Sequence, residues 1–219
     1  MPLLLYCVAG TAASLNGLHA GVACSPVLRL EIANLAVFVS SSADSSGWLR
    51  APVRTSALEF HRVLQQLFSA TAILPFRFPT IFEDELELAR HLEGRSGEYG
   101  ALLEKFSNFA QMEARVGYPN SETAIATHSG SEYLRQRQRR FQAVEEFAVE
   151  LRRAAGAAAT EWRQRMTRSE LRGFALVGRD KIPEFKANIA QALVPAGMQV
   201  RISGPWPVTE FLDFSDGLP

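Results

Sequence analysis

The stretch Thr71–Phe82, TAILPFRFPTIF, constrains the fold more than any other part of the chain. Read with the period-two alternation of a strand, it places Leu74, Phe76 and Phe78 on one face. Ile73, Pro75, Arg77 and Pro79 fall on the other. The face with the two phenylalanines needs a helix layer over it, while the opposite face offers a cation bracketed by prolines. Because proline cannot donate to a ladder, Pro75 and Pro79 set this strand at a sheet edge or fray its end. Thr80-Ile-Phe-Glu83 then has the form of a capping box, so the strand is expected to run directly into a helix.

The segments on either side read as cover for that strand. Leu3–Ala9 is expected as a first buried strand. Its MPLLLYCVAGTAA context has the apolar run of a signal peptide but lacks the cationic n-region. Val27–Leu30 and Ala33–Ser40 read as short strands joined by a tight turn or bulge. Ser56-Ala-Leu-Glu59 forms another capping box, opening a helix to about Ala70 whose stripe is Phe60, Leu64 and Leu67, widened by Val63 and Phe68. The helix expected from Thr80 carries Glu83, Asp84, Glu85 and Glu87 in its first turn, which suits the positive end of the helix dipole. Gly94, Gly97 and Gly100 are expected to break it in two. Gln111–Gly117 alternates Met112, Ala114 and Val116 against Gln111, Glu113 and Arg115, and is expected to close the sheet. Residues 1–118 thus read as β, β, β, α, β, α, β, an α+β sandwich close to ferredoxin-like.

YPNSETAIATH, residues 118–128, reads as a linker to a second, helix-rich α+β domain over residues 119–219. A helical pattern runs from Ser129 to about Thr167. Phe141, Val144, Ala148, Leu151, Ala155, Ala158 and Trp162 are spaced by three and four, a seam suited to coiled-coil-like packing. Gly156 marks a close crossing or a break. A strand over Arg172–Val177, a helix over Pro183–Leu193 and a strand over Met198–Ser203 follow. The chain then reaches Gly204-Pro205-Trp206-Pro207 and an aromatic tail with Phe211 and Phe214.

Hydrophobic residues make up 47% of the 219, enough for a real core. The 23 basic residues balance the 23 acidic ones, so no global field argues for nucleic acid. No apolar run reaches the ~18 residues of a membrane span. Cys7 and Cys24 lack metal-ligand spacing and read as buried free thiols of a reducing cytosol. His19, His61, His91 and His128 are scattered without a zinc spacing, and no nucleotide loop or nucleophile elbow is present. Gly94-x-x-Gly97-x-x-Gly100 sits in a helical region with no strand before it, which argues against a phosphate loop. The Glu83–Glu85 carboxylates are explained by the helix dipole without a metal. No catalytic, cofactor or metal site is therefore expected.

Charge is nevertheless polarised along the chain. Thr80–Glu104 carries two basic against seven acidic residues, while Ser129–Arg179 carries eleven basic against six acidic ones. Within the latter, Arg135, Arg137, Arg139 and Arg140 make a locally basic helix segment. Such polarity without a reaction centre suits docking, either between the chain's own domains or onto a partner.

Several motifs, in order, resemble the gas vesicle protein F/L family. ILPFRFPTIF is similar to its LPLRFGT segment. Gly130-Ser-Glu-Tyr133-Leu134, with the arginines that follow, is similar to G-x-x-YL-x-x-R. Phe174-Ala-Leu-Val177 resembles a second-domain strand, and Ile202-Ser-Gly-Pro-Trp-Pro207 resembles the terminal TGPWPPY signature. Leu5-Tyr6 and Glu59-Phe60-His61 fit as well. Pro79 stands where the family has glycine, and Val208-Thr209 replaces the Pro-Tyr after the tryptophan. The resemblance implies an N-terminal α+β domain, a C-terminal domain with long helices, and a non-enzymatic accessory role in gas vesicles, the gas-filled protein shells that give cells buoyancy. The partners it implies are the small hydrophobic shell subunit and other accessory proteins, met in the cytoplasm or on the vesicle; self-association is also admitted.

For such a partner, exposed aromatic anchors rimmed by charge are expected. Candidate contacts are Arg77, Tyr133, Arg135, Arg137, Arg139, Arg140 and Trp206. Trp206, held by two prolines, is either a rigid anchor or a plug between domains. Arg77 is either a partner contact or a buried salt bridge to the second domain, which would need a carboxylate partner. The competing reading is a small-molecule-binding or enzymatic ferredoxin-like domain with a pocket near His61 and Arg77.

Overall fold

A computed structural model describes residues 1–15, 20–43, 48, 53–117, 130–167 and 170–212. The linker 118–128, His19, His128 and Phe214 lie outside them. The chain forms two compact units: residues 1–108 together with the chain from Trp206 onward, and residues 109–205.

The first unit is built on β1 (Leu3–Gly10), whose residues Leu3 to Ala9 are all buried. An unbroken apolar run suits a central strand covered on both faces. β2 (Val27–Ile32) and β3 (Leu35–Ser41) form a hairpin in which Ile32 faces Leu35. Its two-residue turn, Ala33-Asn34, has φ of 50° and 63°, the positive values a type I′ turn requires. α1 (Val53–Ala70) buries Phe60, Val63, Leu64, Leu67 and Phe68 as expected. It starts before Ser56, however, so the capping box there does not form. Ser56 is buried within the helix, and Glu59 instead accepts a hydrogen bond from the Ala23 amide at 2.9 Å.

β4 (Ile73–Pro75) and β5 (Ile81–Phe82) both pair antiparallel with β1. The sheet order is β2-β3-β1-β4, with β5 also beside β1, so the proline-bearing stretch does lie at the edge. It is two short strands where one was expected. Phe76 donates to Tyr6 and Leu5 donates to the Thr80 carbonyl, leaving Arg77 to Pro79 outside the ladder. Thr80 bonds back to the Arg77 carbonyl at 2.7 Å and caps no helix. The helix starts four residues later. α2 (Glu85–Glu93) is capped by Asp84, which accepts from the Glu87 amide, while Glu87 accepts from the Glu83 amide. This is a variant of the capping box, with aspartate as the cap and Glu87 reaching the amide of the residue before it. The chain breaks at Gly94, and α3 (Ser96–Lys105) follows with Gly97 and Gly100 inside it.

The second unit is a four-stranded antiparallel sheet of order β7-β8-β6-β9, covered by two helices. β6 (Phe109–Gly117), expected to close the first sheet, pairs along its whole length with β8 (Glu170–Gly178). α4 (Gly130–Ala155) ends in a 3-10 turn where Gly156 has φ of 51°. Residues 159–166, expected as the end of that helix, form strand β7 (Ala159–Met166) beside β8. α5 (Ile182–Ala190) and β9 (Gln199–Trp206) match the expected elements.

The apolar seam of α4 does not pair with another long helix. Val144, Phe147, Ala148, Leu151 and Ala155 pack on Met112, Val116, Leu171, Ala175 and Val177 of the sheet, with Phe185 and Ile189 of α5. Both cysteines are free, but Cys24 is exposed, contrary to expectation. Cys7 is buried, and that burial pushes its thiol pKa up. Among the described residues no helix is long and apolar enough to cross a membrane.

Candidate docking surface

The seven candidate residues fall into three places. Arg77 lies in the short segment that the β1 ladder leaves out, and it is exposed. A guanidinium open to water needs no carboxylate partner. His61 is likewise exposed, on the solvent side of α1. Trp206 is half-buried, and its indole lies tilted against the His61 imidazole with centroids 5.0 Å apart. Part of its apolar surface is thus already used within the first unit.

The other five residues belong to the first half of α4. Tyr133 is in the helix, but its side chain lies outside what is described. Arg135, Arg137 and Arg139 are exposed and Arg140 is half-buried. Between and beside them, Leu134 is 61% exposed and Phe141 41% exposed. Among the described side chains, the core of this unit takes nothing from α4 before Ala143, which is itself only partly buried. The described side chains of residues 131–142, a stretch of roughly 18 Å at 1.5 Å per residue, therefore add nothing to it.

The sequence reading missed an ion network on the sheet face of the second unit that points away from α4. Glu113, only 6% exposed, accepts from the Nε of Arg172 at 2.6 Å and from the Nε of Arg115 at 2.9 Å. Strand register places Arg115, Arg172 and Arg165 in one cross-strand row. The guanidinium carbons of Arg172 and Arg165 lie 5.3 Å and 6.0 Å from the Phe174 ring centroid. Burial alone would raise the Glu113 pKa, but the hydrogen bonds from the two arginines outweigh it and hold the carboxyl below its ordinary range. The signal in the sequence was the polar alternation Gln111, Glu113, Arg115, which a solvent-facing strand would also show.

His91 is also perturbed. Its ring sits against Phe82 and Phe76, with centroids 5.3 Å and 6.4 Å away, and its buried Nε2 has no hydrogen-bond partner. Burial, and then the nearby Arg95 charge, lower its pKa against a weaker opposing effect of Glu87. Among the described residues no group of three or more histidine, cysteine, aspartate or glutamate side chains is placed to hold a metal.

Residues 2–213 match the family described as gas vesicle synthesis protein GvpL/GvpF. Among curated protein sequences none matches significantly. Two solved structures share the fold. The gas vesicle protein GvpF from Anabaena sp. PCC7120 superposes with a TM-score of 0.79 at 14% identity, over 98% of this chain and 97% of that one. GvpF from Microcystis aeruginosa gives a TM-score of 0.71 at 16% identity, over 92% and 94%.

Proposed function

Because this chain belongs to the gas vesicle synthesis protein GvpL/GvpF family, we propose that it is a non-catalytic gas vesicle accessory protein. In this reading it binds the hydrophobic shell subunit and other accessory proteins in the cytoplasm during assembly. The observation that carries the reading is the first half of α4, where four arginines surround Leu134 and Phe141 outside the unit's core. An apolar partner is held by a few aromatic or aliphatic anchors, while the charged rim sets orientation and the rate of encounter. Arg77 and the half-buried Trp206 are secondary contacts in the same scheme.

The test is co-purification of the full chain with the shell subunit. Triple reversal of Arg135, Arg137 and Arg139 to glutamate is expected to weaken capture roughly tenfold or more, as removing several rim charges does. Capture by the unaltered protein should fall as salt rises past the roughly 8 Å screening length of physiological buffer. Capture that ignores both the reversal and salt would exclude α4 as the electrostatic docking element.

A further inference from the structure

The exposed side of α4 has an order of its own. At 100° per residue, Leu134, Gln138, Phe141, Glu145, Val149 and Arg152 fall in one sector about 80° wide. All six are exposed, Val149 at 66%. One flank of that sector carries Glu132, Arg135 and Arg139 in the first half of the helix and Glu146, Glu150 and Arg153 in the second. Its charges therefore run minus, plus, plus, minus, minus, plus, an order that inverts when the helix is reversed. Glu150 does pair with Arg153 on the same helix, but both are exposed, and such a pair has little energetic weight.

A second copy of the same helix, laid antiparallel with its midpoint at Phe141 and Gln142, fits both features at once. Leu134 then lies opposite Val149 of the second copy, and the two Phe141 side chains meet at the centre. Arg135 comes to Glu146 of the other copy on the shared flank, and Glu146 to Arg135. In a parallel pair the two copies' equivalent flanks would lie on opposite sides of the seam, and Arg135 of one copy would not reach Glu146 of the other. Antiparallel pairing is also closed: the same patch serves both partners, so it stops at two.

We propose that the exposed sector of α4 is a self-recognition surface, on which a second copy of this chain docks as an antiparallel helix pair centred on Phe141. The pairing covers the residues that the core leaves bare. It also holds Arg135 and Arg139, two of the arginines assigned above to partner docking, so the free protein keeps them against its own copy until a partner displaces it. The proposal rests on α4 alone and needs no other protein for its test.

The test uses the full chain with the exposed Cys24→Ser. Sedimentation velocity is expected to find a dimer in the micromolar range. Phe141→Arg should weaken it at least roughly tenfold with an unchanged circular dichroism spectrum. Arg135→Glu and Glu146→Arg should each weaken the dimer, and the double variant should recover it, which separates a paired contact from a loss of folding. Oxidation of a mixture of Leu134→Cys and Val149→Cys chains should give a linked dimer, whereas Leu134→Cys by itself should not link. A monomer at every concentration, a dimer that Phe141→Arg leaves intact, or Leu134→Cys chains that link to each other would each overturn the proposal.

Discussion

At Gly173 the need for glycine comes from a neighbour: a Cβ placed there would sit 2.3 Å from Cζ2 of Trp162. The indole lies across the strand over the bare backbone, and an added methyl must push a rigid ring aside. Gly173→Ala is expected to cost about 1–3 kcal/mol, the usual range for overpacking, and to shift Trp162 fluorescence. Denaturant unfolding checks the first and the emission spectrum the second. Two titrating side chains belong to the same scale. His91 has a folded-state pKa below its ordinary 6.5, so the unfolded chain takes up the proton first. Stability from this site is intact above about 6.5 and declines as pH falls below it. Glu113 is held below its ordinary 4.5, so its contribution is present above 4.5 and lost as pH falls through the lower folded value. Acid should therefore weaken the protein in two steps. His91→Gln is expected to flatten the upper step and Glu113→Gln the lower one in stability measured against pH.

Among the elements, α4 divides sharply. Its second half is anchored by Val144, Phe147, Ala148 and Leu151, while none of the described side chains of its first half joins that core. Amide exchange should show this division directly. Amides of residues 134–142 are expected to exchange at least tenfold faster than those of 147–155 in the free protein, because opening the first half exposes no core. Equal protection of the two halves at concentrations too low for association would mean that some other part of the chain covers the first half. The same helix shows what the sequence could and could not say. Spacings of three and four marked Val144 to Ala155 correctly, since the core face of a helix must repeat that way. They also ran on through Ala158 to Trp162, where small residues fit either period and only the left-handed Gly156 stops the helix. Alternation likewise identified β6 but not its partner. A two-residue period says that a strand has two faces, and which sheet it joins depends on β8, more than fifty residues away. The capping box expected at Thr80 does not form, and Asp84 caps the helix, because β5 keeps residues 81–82 extended beside β1. The exposure of Arg135, Arg137 and Arg139 followed from the density of charge on that stretch, while the two-fold use of Glu113 required the fold.

For the whole molecule, the telling feature is that the first unit is discontinuous in sequence. The chain leaves it at Asn108, builds the second unit, and returns at Trp206. In the described part of the returning segment, Val208, Phe211 and Leu212 are buried, Phe211 at 2% exposure. If those side chains complete the first unit's core, their loss must be felt at β1, two hundred residues earlier in the chain, and not in the unit just before them. Phe211→Ala removes a fully buried aromatic side chain and is expected to cost about 3–5 kcal/mol. Hydrogen exchange locates that cost. The amides of β1 and β3 should lose protection in the variant, while those of β6 and β8 keep theirs. Loss confined to β6 and β8 would assign the returning segment to the second unit, and uniform loss would make the two units one cooperative body.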